Sequence, residues 1–558
     1  MSLRSYPVDR CFVSSDTHIR LTEDEDRVCQ LLDDYVKNAQ EDVSMRTVCR
    51  IAGGWVRDKL LGSECHDIDI ALSNSMGFTF AEGLAAYAAR NGVETGTISK
   101  IAQNPEQSKH LETATFKVFG LEVDIVNLRC EEYASDSRIP TGVSFGTPLQ
   151  DALRRDITIN ALFYNVHSRE VEDFTGKGRD DLESGIIRTP LPPRETFLDD
   201  PLRVLRCIRF ASRLGFKTVP ELEEAAKDPL IQKAIVNKVA RERVGEELVK
   251  MMRGRDPTRS IELIYNLSLY PAIFFAIPEA FSSFLSGMPE PARIGWTTVL
   301  VLRYLFERRE QKSGSKIPNL DSVYYEAVVN DPTCSSRLYL AAALTPYRRL
   351  TYRDTKSKEK HLVELVLRES LKLGTQFHFL DGIPPLFTAC DLIASAVSDS
   401  SKLHPSSERV GIGLLLRERT IHNPVVGVHW TSSFLFSLVL ELVECYDVEN
   451  DALDEKNAII IIEKYNSFAR KVDSFDLRNA GEMKPLLDGR QVVTALGATK
   501  PGAWLGKVLG QVIEWQLEHP TSTKQECVAW LQEQRRIASI VVDDSISEPA
   551  TKRTRTKR

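Results

Sequence analysis

The segment Gly53-Gly54-Trp55-Val56-Arg57-Asp58, followed by Asp67-Ile68-Asp69-Ile70-Ala71-Leu72, constrains this chain more than any other feature. Val48 to Ala52 reads as a strand, the glycine pair as a tight turn and Trp55 to Leu61 as a short helix. Two glycines between a strand and a helix N-terminus let backbone N–H groups approach a phosphate, and the helix end adds partial positive charge. By itself the pair is more often only a turn. Asp67 to Leu72 alternates polar and apolar as a strand does, so Asp67 and Asp69 project from one face. Adjacent carboxylates repel each other and favour a cation between them, a hard one such as Mg²⁺ above all. The competing reading is a solvated strand end with two surface acids.

A third carboxylate supports the metal reading. Thr113 to Val118 and Leu121 to Leu128, joined around Phe119 and Gly120, read as a β-hairpin. Asp124 sits in its apolar second arm, where an unpartnered charge is costly. If that arm lies beside Asp67 to Leu72, three acids could serve two metals in an in-line phosphoryl or nucleotidyl displacement. Glu122 shares the strand face, and the choice between it and Asp124 stays open. Further along, Asp151-Ala152-Leu153-Arg154-Arg155-Asp156 offers paired arginines able to clamp phosphate oxygens and an acid able to accept from a ribose hydroxyl; a surface salt-bridge cluster has the same composition. Asp199-Asp200-Pro201-Leu202-Arg203 opens a helix, since Asp caps free N–H groups and Pro suits a first turn. Asp200 and Arg203, three apart, face the same way and together could meet the Watson–Crick edge of a base.

At 558 residues, 42% hydrophobic and 27% charged, the chain is too long for one domain and too apolar for disorder. A net charge of −6 argues against a generally basic nucleic-acid coat but not against a local basic track. Ten dispersed cysteines without a C-x-x-C pair fit a reducing compartment, and no structural zinc site is expected. No stretch reads as the run of about 20 apolar residues that spans a bilayer, the most apolar being Thr431 to Leu442, so a soluble protein is expected. Strand signals fade after Pro190, Pro192 and Pro193, where amphipathic helical pattern takes over. Ile157 to Asn165 and Glu170 to Phe174 read as further strands. The expected fold class is α+β, an α/β head on a long helical body. Its expected parts are an N-terminal extension (1–45), head (46–190), neck (191–270), body (271–410), tail (411–540) and a disordered basic end (541–558). Lys552 to Arg558 reads equally as a nuclear import signal or a solvated tail. Arg4 and Arg10 resemble a transit peptide only weakly.

In this order the three constellations resemble the class II CCA tRNA nucleotidyltransferases of the poly(A) polymerase/nucleotidyltransferase superfamily. Gly53, Gly54, Arg57, Asp58, Leu61, Gly62, Asp67 and Asp69 fit that family's catalytic motif, and Arg154, Arg155 and Asp156 its ribose-discriminating motif. Asp173, Gly176 and Gly178 resemble its hinge. Asp199, Asp200 and Arg203 fit its amino-acid template, although the first position is more often Glu in bacterial members. Arg241-Glu242-Arg243 with Glu246 and Glu247 resembles the helix-stabilising motif that follows. Met483 to Gly489 and Lys500 to Lys507 look like the tail of a eukaryotic, fungal-type member.

The resemblance implies addition of C, C and A to tRNA from CTP and ATP, with catalytic Asp67, Asp69 and Asp124 and Mg²⁺ on Asp67 and Asp69. It implies a nucleotide site built from Gly53, Gly54, Arg57, Arg154, Arg155, Asp156, Asp200 and Arg203. The polar segment Ala102 to Glu112 matches the family's flexible loop in position. Expected tRNA contacts are the helix from Arg203 to Arg213 and the tail around Lys484, Arg490, Lys500 and Lys507. Trp504 either stacks on the tRNA elbow or fills a core, with packing favoured. A monomer in cytosol and nucleus is expected, with mitochondria a further site, and no membrane partner. The alternatives are a CC-only or A-only enzyme, a poly(A) polymerase, or an inactive RNA-binding quality-control module.

Overall fold

The structure, a computed structural model, describes residue 3 and residues 18–39, 47–65, 67–101, 113–133, 140–309, 316–354, 356–405, 407–537 and 539–540. His66, the segment Ala102 to Glu112 and the basic end lie outside the described residues. The head runs α1 (Glu23–Ala39), β1 (Cys49–Ala52), α2 (Gly54–Leu60), β2 (Asp67–Leu72), α3 (Gly77–Arg90), β3 (Ser99–Ile101), β4 (Thr113–Val118), β5 (Leu121–Asn127), β6 (Arg129–Tyr133), β7 (Pro140–Phe145), α4 (Pro148–Leu153), β8 (Phe163–Asn165), β9 (Glu170–Glu172) and α5 (Gly178–Ser184). Seven strands form one sheet in the order β3-β4-β5-β2-β1-β8-β9, while β6 and β7 pair apart from it. Only β2 and β5 run parallel within the sheet; its other neighbours are antiparallel.

Alternation along the two parallel strands divides the sheet into unlike faces. Ile68, Ile70 and Leu72 of β2, with Val123 and Ile125 of β5, join the main core that includes Phe80 and Leu84 of α3. On the opposite face most of the buried residues are small, Ala52, Ala71, Ala152 and Ala161, beside Leu128 and Phe163. That face carries Asp67 and Asp69, and its small side chains leave space above the sheet. The β4–β5 turn is the expected hairpin, with φ of 50° at Phe119 and 80° at Gly120, as a two-residue turn with right-handed strand twist requires. The strand expected from Ile157 to Asn165 instead opens with a 3₁₀ turn, Thr158–Asn160, before β8. Side-chain bonds replace the ladder there: Asp156 Oδ1 accepts from the Ile157 amide and from Asn160 Nδ2.

Helix α1 is part of the head and not an appendage, which revises the extension expected over residues 1–45. Its Val28, Cys29, Leu32 and Val36 are buried in the main core. Buried Glu25 accepts from Trp55 Nε1 at 3.1 Å and from Lys59 Nζ at 2.7 Å, so α1 holds the helix that follows the glycine turn. Burial pushes the Glu25 carboxyl up, and the bonds from Lys59, Thr22 and Trp55 outweigh it, leaving the pKa below the ordinary value.

The neck comprises α6 (Pro193–Asp199), α7 (Leu202–Leu214), α8 (Pro220–Lys227), α9 (Pro229–Lys238), α10 (Arg241–Met252) and α11 (Pro257–Asn266). Inside it, Arg209 Nε donates to Glu247 Oε2 at 2.5 Å, tying α7 to α10. The main core continues from head through neck into the helices Glu408–Leu416 and Trp430–Val443, without a break near residue 410. A separate small core, with Leu487, Val492, Val512 and Leu531, marks the tail, and Trp504 packs against it. The helical stretch Gln376–Ser398 is long and apolar enough to cross a membrane, which corrects the expectation that no segment reads so. A search for uninterrupted runs passes over it because Asp381, Pro384, Pro385 and Asp391 divide it. Its apolarity has an internal use: Ile383, Leu386 and Ile393 are core residues, and the Phe387 ring meets Phe436 edge-on at 5.2 Å.

If α1 belongs to the head core, Leu32→Ala lowers head stability by about 2–5 kcal/mol, the usual cost of emptying a buried leucine site. Urea unfolding followed by the near-ultraviolet signal of Trp55 and its neighbours checks this, and an unchanged midpoint would return α1 to the status of an extension.

Candidate active site

The two faces of the sheet set the site. In the parallel pair Asp69 stands opposite Asp124 in register, and Asp67 opposite Glu122. All four point away from the isoleucine face. Thr115 Oγ1 donates to Asp124 Oδ1 at 2.5 Å, which orients that carboxyl. Glu122 is exposed at the rim, with Lys117 Nζ 4.0 Å away. The Asp69 carboxyl is open to solvent but lies against the protein at the floor of a cleft. That enclosure and the neighbouring Asp124 charge push its pKa up to about 6. Such uncompensated repulsion is what a cation would relieve. Paired carboxylate oxygens are hard donors and fit a divalent cation of the Mg²⁺ type. Among the described residues no three His, Cys, Asp or Glu side chains converge into a ready metal cage. Asp124 is therefore Asp69's neighbour without closing a three-carboxylate cluster.

Above this floor lies a cleft of about 610 Å³ between head and neck. Eight arginines line it, Arg57, Arg129, Arg154, Arg155, Arg203, Arg206, Arg213 and Arg243, against four acids, Asp69, Asp151, Asp156 and Asp200. The size suits a nucleotide, and the excess of cations suits a polyanionic one. Gly53 turns the chain at φ 77°, and a Cβ there would come within 2.9 Å of Arg155 Nη1, so the glycine admits both the turn and the guanidinium beneath it. Buried Arg57 donates to Asp58 Oδ1 and to Asn160 Oδ1, and its guanidinium lies over the Phe210 ring at 4.9 Å. Arg57 is thus committed to internal partners.

The neck supplies the other wall. Asp200 Oδ1 accepts from the Leu202 amide, the first of α7, at 3.2 Å, while its Oδ2 faces Arg243 Nη2 at 3.9 Å. Arg203, nearly buried, donates to the Arg154 carbonyl at 2.7 Å. One turn on, Arg206 Nε and Nη2 meet Asp156 Oδ2 at 2.7 and 2.6 Å. Arg213 reaches Asp58 Oδ2 at 3.5 Å. Positions 203, 206, 210 and 213 form one face of α7, and that face locks onto the head. The helix expected to meet tRNA through its arginines spends all four of them, Arg203, Arg206, Arg209 and Arg213, on internal partners. Burial pushes the Asp156 carboxyl up, but Arg206 and Asn160 outweigh it and hold its pKa below the ordinary value.

The structure thus gathers Gly53, Gly54, Arg57, Asp69, Arg154, Arg155, Asp156, Asp200 and Arg203 around one cleft. Asp67 and Asp124 stand on the same sheet face as Asp69. Sequence reasoning assigned no role to Asp151 or Asn160 and did not foresee that Arg206 and Arg243 join the site. The i, i+3, i+4 spacing of Asp151, Arg154 and Arg155 is a signal that was present; the pairings across head and neck had none.

Comparison with known proteins agrees with this geometry. Residues 49–188 match the family model described as "Poly A polymerase head domain", and residues 215–283 match "Probable RNA and SrmB- binding site of polymerase A". The chain is 38% identical to a mitochondrial CCA tRNA nucleotidyltransferase of Saccharomyces cerevisiae, over 93% of this chain and 95% of that one. A Candida glabrata protein of the same name is also 38% identical, over 92% and 96%. Among solved structures, a CCA-adding enzyme in an apo form superposes with a TM-score of 0.58 at 18% identity, covering 93% of this chain and 97% of that one. The Thermotoga maritima CCA-adding enzyme solved with tRNA gives 0.56 at 17% identity, over 92% and 97%. At these identities the structural likeness speaks for the fold alone, a sheet-containing head with a helical body. The full-length sequence relatives go further: the chain belongs to the CCA tRNA nucleotidyltransferase family.

A depressed carboxyl pKa in the folded state adds stability above the ordinary pKa, and that stability is lost as pH falls through the folded value. Asp156 therefore stabilises the head at neutral pH and ceases to do so in acid. Asp156→Asn should cost about 1–3 kcal/mol at pH 7, since half-buried Arg206 loses its charged partner but is partly compensated by solvent. The gap to wild type should narrow below pH 4 in thermal melts, whereas an unchanged melt at pH 7 would mean that Asp156 carries no structural load.

Proposed function

We propose that this chain builds the CCA 3′ end of tRNA from CTP and ATP, one nucleotide at a time, without a nucleic-acid template and with release of pyrophosphate. Identity to whole CCA tRNA nucleotidyltransferases carries this reading, together with a nucleotide-sized, arginine-lined cleft above paired aspartates. Asp67 and Asp69 would hold Mg²⁺. When bound, that ion supplies the charge that lowers the pKa of the tRNA 3′-hydroxyl and steadies the α-phosphate. Asp124, with Oδ1 held by Thr115, keeps Oδ2 to take the hydroxyl proton. The backbone at Gly53 and Gly54 and the guanidinium groups of Arg154 and Arg155 bind the triphosphate, while buried Arg57 supports the turn. Asp200 and Arg203 read the base. Asp200 accepts from an exocyclic amine and Arg203 donates to ring acceptors, a pattern that suits C and A and leaves U and G with unpaired groups. Asp156 reads the ribose, and since its oxygens already take Ile157, Asn160 and Arg206, the 2′-hydroxyl must displace one of them.

One base-reading pair serves both nucleotides, so the change from C to A follows from movement of the template against the head. The tRNA is held by shape and backbone, through the neck and the basic tail around Lys484, Arg490, Lys500 and Lys507. An inactive RNA-binding module needs no intact acids, yet Asp67, Asp69, Asp124, Asp200 and Arg203 are all present. The names of the two fungal relatives support a mitochondrial form, and cytosolic and nuclear forms complete the proposal. A second form started at Met45 would lack α1 and its buried face, so compartments are not divided by initiation there. The protein acts as a monomer.

Asp67→Ala should lower transfer of both nucleotides by about a thousandfold or more while tRNA binding stays close to wild type. Gel-shift and single-turnover assays on the same preparation separate the two, and lost binding would make the acid structural. Arg203→Ala should admit UTP and GTP more than it slows CTP addition. Unchanged nucleotide choice in a four-nucleotide competition would remove Arg203 from the template.

A further inference from the structure

Asp151 has no part in the chemistry above, yet few carboxylates in the molecule are so fully engaged. It is 1% exposed and stands in the short helix α4, from which positions three and four residues on return to the same face. Its Oδ1 accepts from Arg154 Nε at 2.9 Å and Nη2 at 2.5 Å. Its Oδ2 accepts from Arg155 Nε at 3.1 Å and Nη2 at 2.8 Å. The Arg129 amide adds a bond to Oδ1 at 3.3 Å. One carboxylate therefore fixes one edge of each of two neighbouring guanidinium groups. Arg155 is fixed further by the Asn160 carbonyl, which accepts from its Nη1 at 3.1 Å, and by the Phe163 ring 5.1 Å away. The same Nη1 lies directly beneath Gly53.

On charge alone, a carboxylate in a cleft that takes a polyanion lowers affinity. Geometry offsets this. A loose arginine loses rotamer freedom when it grips a phosphate, and an arginine already held loses little. We propose that Asp151 is a positioning residue that holds Arg154 and Arg155 as one preformed double fork for the nucleotide triphosphate, at a site under the glycine turn. The inference rests on the proposed triphosphate role of the two arginines and adds that their grip depends on being fixed together. Because the fork meets only the phosphates, its effect is the same for CTP and ATP.

The test is titration calorimetry of the full-length protein with CTP, ATP and inorganic tripolyphosphate in Mg²⁺ buffer, alongside steady-state kinetics, on wild type, D151N, D151E and R154A/R155A. Loss of tripolyphosphate binding in R154A/R155A is expected. Its retention would overturn the role of the arginines themselves, whatever Asp151 does. D151N should weaken all three ligands together by about tenfold or more. It should raise KM for both nucleotides while kcat stays within about threefold, and it should add nothing when combined with R154A/R155A. D151E keeps the charge but moves both guanidinium groups by one methylene, and should also bind all three ligands more weakly than wild type. Tripolyphosphate binding by D151N as tight as wild type, or tighter, would show that only charge matters and overturn the proposal; so would a fall in kcat with KM unchanged. If D151N does not fold, D151E decides: wild-type affinity there contradicts a geometric role.

Discussion

The parallel, in-register pairing of β2 with β5 is the constraint on which the rest of this molecule depends. It sets Asp69 opposite Asp124 and, by the two-residue period, turns Ile68, Ile70, Val123 and Ile125 the other way into the core. A slip of one residue would bury the acids and expose the isoleucines, so the register that stabilises the head is the one that builds the site. The face that carries the acids is paved with alanines, which is why a cleft of nucleotide size can lie over it. Stability and chemistry draw on opposite sides of the same two strands.

A cleft with eight arginines has to be held together without a ligand, and the chain does so by giving many of them an internal partner. Asp151 takes Arg154 and Arg155, Asp156 takes Arg206, and Asp58 takes Arg57 and Arg213. Two of these pairs, Asp156 with Arg206 and Asp58 with Arg213, cross from head to neck. Helix α7 is thus anchored to the head by charge-assisted hydrogen bonds and by Phe210, which lies under both Arg57 and Arg209. Such contacts are specific in angle as well as in distance. Movement of α7 against the head, on which the proposed change from C to A addition relies, has to exchange these bonds. The outermost of them, Arg213 with Asp58 at 3.5 Å, is the longest and the most solvent-accessible of the set.

Much of this was legible in the sequence because it is local. Periodicity marked β2, β4 and β5 and the Phe119-Gly120 turn nearly to the residue, and Asp-Asp-Pro marked the start of α7. The resemblance carried by Gly53-Gly54, Asp67-x-Asp69, Arg154-Arg155-Asp156 and Asp200-Arg203 led to the family that full-length identity establishes. What was not legible depends on long-range partners. No local pattern says that Arg206 meets Asp156 or that Glu25 holds Trp55, since those pairs are joined only by the tertiary fold. Thr158–Asn160 reads as strand by composition, but Asp156 and Arg155 draw its polar groups into a turn. The length of the apolar helix at Gln376–Ser398 was obscured by its prolines, and the membership of α1 in the head by the polar residues on its outer side.

The account stands most directly on the length of the product made from a tRNA that ends at its discriminator base. With Mg²⁺ and CTP alone the purified chain should add two nucleotides and stop; with CTP and ATP it should add three and stop, read on a gel that resolves single nucleotides. A stop at two with both present would reduce it to a CC-adding enzyme, and a long ladder with ATP would make it a polymerase. No extension under any condition would contradict the account outright.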